Sequence, residues 1–252
     1  MMPRFNFDSR HVLNKKQIIA WAKENLKTLI DYELGINTVA VIDLTSCQLV
    51  AKSCIVDAEM GLILTEATTR QLMNNYFAGN DLNLVFQDLL RQRLGKKAKH
   101  CYSQGYMAFF SLHGYRGANC DWLGLHQVKR CQFQGDGSFQ AVSLDGLTLE
   151  FDDYAPRLGS RLTESLNHNR TMLNLLTEFA KGFGVQLPKL KKSILQAGES
   201  ELQVSFSELI RELIEKVIRY NSDFICKEAG VLWTETDIEE LLKKIWRWFT
   251  LH

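Results

Sequence analysis

The segment FQAVSLDGLTLEF, residues 139–151, contains two runs of alternating apolar and polar residues on either side of Asp145-Gly146. Alternation with a period of two is typical of a strand that buries one face. An Asp-Gly pair between two such runs favours a two-residue type I′ turn, because both turn residues then need a positive φ. The segment therefore predicts a β-hairpin, and it is the strongest local signal for a sheet in this chain.

Five more strands are predicted on the N-terminal side of this hairpin. Each is a short run rich in β-branched or aromatic residues and bounded by turn residues. They are NTVAVID (37–43), QLVAKSCIVD (48–57), LILTE (62–66), YMAFFSL (106–112) and WLGLHQVKRCQF (122–133). In the last of these, strict alternation would place Trp122 and His126 on one face and Lys129 and Cys131 on the other.

Helices are predicted around these strands from apolar spacing and capping residues. The first runs from a cap at Asn14 to Gly35, and two more cover residues 68–79 and 80–95. After Pro156 the pattern is helical throughout, with capping boxes at Ser205/Glu208 and Thr234/Asp237. The apolar face of the last helix (Leu241, Leu242, Ile245, Trp246, Trp248, Phe249) could cover its own core or form a partner surface.

The predicted fold class is therefore α+β. A central mixed or antiparallel sheet with inserted helices is flanked by an N-terminal helix and a helical C-terminal region. The predicted organisation is an N-terminal helical extension over 1–35, an α+β core over 36–185 and a helical region over 186–252, with the linker in LPKLKKSILQAGES (187–200).

Composition sets few limits on function. The 30 Lys and Arg residues nearly balance the 29 Asp and Glu residues, so only the local distribution of charge can indicate a partner. The six cysteines form no CxxC pair, no apolar run reaches the ~18–20 residues of a membrane span, and the N-terminal sequence lacks a signal-peptide core. We therefore expect a cytoplasmic protein with reduced thiols.

A metal site is the first alternative to weigh. Six potential zinc ligands lie between residues 100 and 131: His100, Cys101, His113, Cys120, His126 and Cys131. Zinc ligands usually come in pairs two to five residues apart, whereas the tidiest spacing here is Cys120-x₅-His126. The spacing favours buried structural cysteines and a satisfied histidine, and it predicts no metal or other cofactor; a zinc-binding domain stays as an alternative.

The sequence carries no motif of a known catalytic centre. It has no GxSxG, phosphate-binding loop, GxGxxG or HExxH pattern. Asp152-Asp153 follows a strand and is typical of a solvated turn, and a Cys120/His113 nucleophile pair has no support beyond residue type. We therefore expect a protein that is not an enzyme.

Positive charge is concentrated in the middle of the chain. Asp121 is the only acid between Arg91 and Arg130, a window with eight basic residues. A helix C-terminus accounts for Arg91 and Arg93, since its carbonyls attract cations, but it does not account for Lys96, Lys97 and Lys99 beyond Gly95. The window predicts a surface that attracts a polyanion; a solvated charge run on a protein-interaction or regulatory module is the alternative.

Residues 36–170 resemble the competence transcription factor (ComK) family. The resemblance rests on the order and spacing of four pieces: INTVAVID, NNYFAGNDL, the basic stretch before YMAFFSL, and CDWLGLHQVKRCQF, which is similar to the family's Cys-x-Trp…His-x-Val-Lys signature. A hairpin strand and Tyr154 follow at the expected distance. The N-terminal helix and the long helical C-terminal segment depart from the family pattern.

The resemblance implies a DNA-binding activator of competence genes. Such proteins recognise A·T-rich promoter boxes, largely through the minor groove, as dimers or pairs of dimers, and RNA polymerase is a further candidate partner. Combined with the charge pattern, this predicts a DNA-contacting set made of Arg91, Arg93, Lys96, Lys97, Lys99, Arg116, Lys129, Arg130, Arg157 and Arg161.

Overall fold

The computed structural model describes most of the chain. The described residues are 12–25, 30–78, 81–93, 101–113, 119–182, 184–186, 193–196 and 234–250, with single positions between 208 and 219. The chain divides into two compact units. The sheet unit comprises Met1–Leu84 and Lys97–Glu201, and the helical unit comprises Val85–Lys96 and Leu202–His252.

Two sheets form the sheet unit. The larger has six antiparallel strands in the order β4-β3-β2-β7-β6-β5, and the smaller has four in the order β1-β10-β9-β8, with β1 parallel to β10. The predicted α+β class is confirmed. The strands are β1 (Val12–Asn14), β2 (Thr38–Asp43), β3 (Ser53–Asp57), β4 (Gly61–Thr65), β5 (Cys101–Gln104), β6 (Met107–Ser111), β7 (Trp122–Gly124), β8 (Val128–Phe133), β9 (Phe139–Ser143) and β10 (Thr148–Phe151).

Period-two alternation gives the six-stranded sheet a core on each face. Neighbouring residues alternate between them: Ala40 and Ile42 enter the inner core, which lies between the two sheets, and Val41 enters the outer core. The same alternation sends Leu123 inward and Trp122 outward. Because both faces are covered, every residue of β2, β3 and β4 is buried except Asp43, which is half-buried at the end of β2.

The helices of the described residues include α1 (Lys15–Glu24), α2 (Thr69–Phe77), α3 (Asp81–Arg93), α4 (Leu158–Gly182) and α5 (Glu235–Thr250). Ile18 and Leu158 bring α1 and α4 into the inner core. Leu72 and Met73 bring α2 into the outer core. In the described parts of the chain, no helix is both long and apolar enough to cross a membrane.

The 139–151 hairpin is confirmed, but its predicted turn type is wrong. Gly146 has a φ of 93°, whereas Asp145 does not have the positive φ that a type I′ turn requires. The Gly146 N–H donates to the Ser143 carbonyl at 3.2 Å and the Ser143 N–H to the Leu147 carbonyl at 2.8 Å. The loop is therefore three residues, 144–146, closed by the left-handed glycine.

The prediction of one strand over 122–133 is also wrong. The segment forms β7 in the larger sheet and β8 in the smaller one, joined by a 3-10 turn at Leu125–Gln127. The turn interrupts the alternation, so Val128 lies in the inner core rather than beside Trp122. Because of this crossing, the second part of the segment 120–133 forms β8, where Lys129 and Arg130 are exposed.

The N-terminal helix is shorter than predicted. Its cap at Asn14 is confirmed by a reciprocal capping box with Gln17, but the helix ends at Glu24 instead of continuing to Gly35. Residues 30–36 are not helical because tertiary contacts hold them: Ile30 N–H donates to the Leu64 carbonyl at 2.9 Å, and Tyr32 contacts Asp57.

The predicted linker over 187–200 contains part of the core. Within it, the 3-10 turn Ile194–Gln196 packs beside α4, β8 and the 125–127 turn, and Leu195 is buried in the inner core. A segment with a buried leucine is not a free linker, so this prediction is wrong for residues 193–196.

The helical unit includes the end of α3, helical positions between 208 and 219, and α5. The predicted capping box at Thr234 and Asp237 is confirmed, with the Thr234 N–H 2.7 Å from the Asp237 carboxylate. The Ser205 cap and the side chains of Ile245, Trp246, Trp248 and Phe249 lie outside the described residues, whereas Leu242 is buried.

Candidate nucleic-acid interface

The predicted DNA-contacting residues fall into three groups. Lys96, Lys97, Lys99 and Arg116 lie outside the described residues. Arg91 and Arg93 belong to the helical unit, and the other four (Lys129, Arg130, Arg157 and Arg161) belong to the sheet unit.

The two arginines of α3 have carboxylate neighbours. Arg91 Nε lies 3.5 Å from Asp88 Oδ1 one turn earlier, and Arg93 Nε lies 2.6 Å from Glu212 Oε2. Lys216 Nζ donates to Gln92 beside them at 3.1 Å. Within the helical unit, this end of α3 is therefore joined to Glu212 by an ion pair, which neutralises part of the charge that the sequence assigned to a DNA surface.

Arg161 is buried and has a structural role. It is 9% exposed, and its guanidinium donates to three successive carbonyls: Ser111 at 3.0 Å, Leu112 at 3.3 Å and His113 at 3.1 Å. It also lies over the Phe110 ring, 5.8 Å from the centroid. Because these donors face the end of β6, Arg161 cannot reach a phosphate, and its assignment to the DNA-contacting set is wrong.

Lys129 and Arg130 are exposed on β8, an edge strand of the smaller sheet. The register with β9 shifts between Val128 and Arg130, so a β-bulge lies where the two cations stand. A bulge re-aims side chains and often marks an edge strand. Neither cation has a carboxylate partner among the residues that the structure describes.

Arg157 is exposed beyond the other end of β8. Its φ is 61°, a left-handed conformation, and it is the last residue before α4 begins at Leu158. A Cβ on Gly159, two residues later, would lie 3.2 Å from the Phe133 ring, so this turn adjoins the C-terminal end of β8. The exposed carboxylates of Asp136, Asp152 and Asp153 belong to the loops at this end of β8. The exposed Asp145 lies in the 144–146 loop near the start of β8, but in the described part of the chain it forms no ion pair with Lys129 or Arg130.

Trp122 and His126 hold the segment that leads into β8. Trp122 is 3% exposed in the outer core, with its ring 5.8 Å from that of Tyr102. The His126 ring packs edge-on against Phe109, at 5.2 Å between centroids. Both residues are scaffold for the crossing between the sheets.

His126 has backbone partners at both ring nitrogens. The Ala108 N–H lies 3.2 Å from Nδ1, and Nε2 lies 3.3 Å from the Gly35 carbonyl oxygen. A neutral ring that accepts at Nδ1 and donates at Nε2 satisfies both groups. Burial lowers the pKa of His126 to about 4, so the ring is neutral at physiological pH and forms a fixed link between segments.

The cysteines near this segment are separated and protonated. Cys120 is in the outer core, Cys101 in the inner core, and Cys131 packs against the inner core from β8. Burial raises the pKa of each thiol to about 12, which opposes the thiolate form that zinc binding or nucleophilic attack requires. Among the described residues, no three His, Cys, Asp or Glu side chains are grouped to hold a metal ion.

Asp121, the one acid in the basic window, is paired internally. Its carboxylate is buried, both oxygens lie 3.0 Å from Lys15 Nζ, and Oδ1 accepts from the Asp43 N–H at 2.7 Å. Burial raises the pKa of Asp121, and Lys15 opposes that shift. The carboxylate therefore anchors α1 to the larger sheet instead of offsetting Lys129 and Arg130.

Sequence reasoning missed the polar residues that share a face with Arg130. The register places Gln132 opposite Gln140, and Gln140 opposite Glu150, with all three side chains exposed or half-buried on the outer face of the smaller sheet. The alternation in the hairpin already indicated that Gln140 and Glu150 point outward. That they lie beside Arg130 and Gln132 could be seen only from the pairing of β8 with β9.

A scan against protein-family models finds no match for the chain. Searches of curated proteins and of solved structures find no similar protein either.

Proposed function

We propose that the protein is a sequence-specific DNA-binding activator of competence genes that recognises A·T-rich promoter boxes. The observation that carries the proposal is the pair Lys129–Arg130: two adjacent cations, exposed and without a described carboxylate partner, in the segment that resembles the family signature. The buried Trp122 and His126 fix the strand that presents them.

The charge and position of this pair suit a DNA backbone and its minor groove. Phosphate contacts from Lys and Arg supply most of the affinity of such complexes. An A·T tract has a narrow minor groove with an enhanced negative potential, which attracts an inserted arginine. Arg130 is therefore the candidate for the groove and Lys129 the candidate for a phosphate.

The proposal extends to the partners and location. We propose that the protein acts in the cytoplasm, binds its promoter as a dimer or a dimer of dimers, and contacts RNA polymerase there. Two-fold repeated boxes and paired subunits match one another geometrically, because each subunit then reads one half-site.

The double variant Lys129→Ala/Arg130→Ala tests the role of the pair. We expect weaker binding to an A·T-rich duplex. We also expect the slope of log Kd against the logarithm of salt concentration to be flatter by about 0.9 for each lost phosphate contact. Fluorescence anisotropy titrations at several salt concentrations measure both quantities.

The matched control is Lys16→Ala/Lys23→Ala, which removes the same charge from exposed positions on α1. The control should keep the salt slope of the unmodified protein. Equal slopes for both double variants would remove Lys129 and Arg130 from the interface, since net charge alone would then explain the loss of affinity.

A regulatory module that binds protein instead of DNA is the second candidate function. The observation in its favour is the pairing of Arg93 with Glu212, at 2.6 Å, which uses a predicted DNA contact to join two segments of the helical unit. In addition, exposed cations on an edge strand such as β8 discourage pairing with another sheet, so Lys129 and Arg130 have a role that needs no DNA. An affinity for duplex DNA that did not change with salt concentration would favour this candidate.

A further inference from the structure

The outer face of the smaller sheet presents two rows of side chains across all four strands. The first row runs Arg130, Val142, Thr148, Val12, and the second runs Gln132, Gln140, Glu150, Asn14. Residues between them, such as Ala141 and Leu149, are buried in the inner core. All eight side chains in the rows are exposed or half-buried. The face therefore consists of an amide-rich row beside a row that ends at Arg130.

From these rows we infer that this face, at β8 and β9, reads the base edges of duplex DNA. The inference rests on the proposed function and adds to it the residues that contact bases: Arg130, Gln132 and Gln140.

The chemistry of the face matches an A·T minor groove. That groove offers only acceptors, A N3 and T O2, so it must be read by donors. Gln140 Oε1 accepts from Gln134 at 2.7 Å, and its Nε2 donates to Glu150 at 2.7 Å. An amide NH₂ has two hydrogens, so Gln140 keeps one donor for a base. Arg130 and Gln132 add exposed donors on the same face.

The width of the groove limits which side chains can enter. A two-stranded ribbon needs the wider major groove, but side chains on adjacent strands are only about 4.8 Å apart, so those of β8 and β9 can enter a minor groove about 6 Å wide while the strands stay outside it. The four strands span about 14 Å between the first and the last, which exceeds that width. Glu150, on β10, consequently lies at the edge of the contact, where its charge faces phosphates rather than bases.

This position gives Glu150→Gln a distinctive outcome: tighter binding. Glutamine keeps an acceptor for Gln140 and removes one negative charge beside the phosphates. We expect Kd for an A·T-rich duplex to fall about two- to fourfold at about 50 mM salt, and the gain to shrink as salt screens the repulsion. Anisotropy titration with the full chain measures the change.

The control is Glu59→Gln, which removes the same charge from an exposed turn of the larger sheet. It should leave Kd unchanged. If Glu150→Gln and Glu59→Gln behave alike while Lys129→Ala/Arg130→Ala still flattens the salt slope, the sheet face is not the reading surface and the proposed function stands. If the unmodified protein binds no duplex, the proposed function fails and this inference fails with it.

Discussion

Replacing Trp122 by alanine is expected to destabilise the sheet unit by about 3–5 kcal/mol. Trp122 is 3% exposed and lies opposite Val41 of the neighbouring strand β2. Its side chain packs with Tyr102 and Phe109 in the outer core. Truncation to Cβ leaves a cavity in the outer core that rigid strands cannot fill. Urea unfolding followed by near-ultraviolet circular dichroism measures the loss as a lower midpoint.

Phe133→Ala is the matched control for this prediction. Phe133 is another aromatic residue of the segment 120–133, but it is 50% exposed at the end of β8. Its truncation should cost well under half as much, because little buried area is lost. A Trp122 variant as stable as the Phe133 variant would show that Trp122 is not part of the core.

Gly124→Ala is expected to cost about 3 kcal/mol or more, above the usual range for overpacking. An added Cβ would lie 2.2 Å from the Thr38 carbonyl oxygen and 3.1 Å from His126 Cε1. The first contact is with the backbone of β2, which cannot move without breaking its pairing with β7. The variant should therefore unfold at a lower temperature and lose the near-ultraviolet signal of Trp122.

Gly135→Ala provides the comparison at a glycine with open space. Nothing lies within 4 Å of a Cβ at Gly135, and its φ is not positive. We expect a change in unfolding free energy near zero or slightly stabilising, since alanine reduces the freedom of the unfolded chain. Similar losses at both glycines would contradict the close approach of β7 to β2.

Local patterns predicted most elements but not the way that they combine. The hairpin at 139–151, the strands 106–112 and 62–66, and the cap at Asn14 follow from periods and capping chemistry within a few residues. The crossing at Leu125–Gln127 was not predictable, because each half of 122–133 alternates and only the pairing of β7 with β2 and β8 with β9 separates them. The strand β5 was not predicted, because the basic residues before it dominate the local pattern.

The candidate site shows the same limit. Sequence reasoning identified Lys129 and Arg130, which are exposed, but it also selected Arg161, which three carbonyls hold inside the fold. A local pattern cannot distinguish these arginines, because burial depends on what packs against a helix face. Arg93 likewise meets Glu212, 119 residues further along the chain.

Competition between two duplexes of equal length, one A·T-rich and one G·C-rich, tests the central claim most directly. The claim is that Arg130 and its neighbours on β8 and β9 read an A·T minor groove. We predict that the unmodified chain prefers the A·T-rich duplex by at least about tenfold, with affinity that falls steeply as salt increases. Equal affinity for the two duplexes, or no binding to either at low salt, would contradict it.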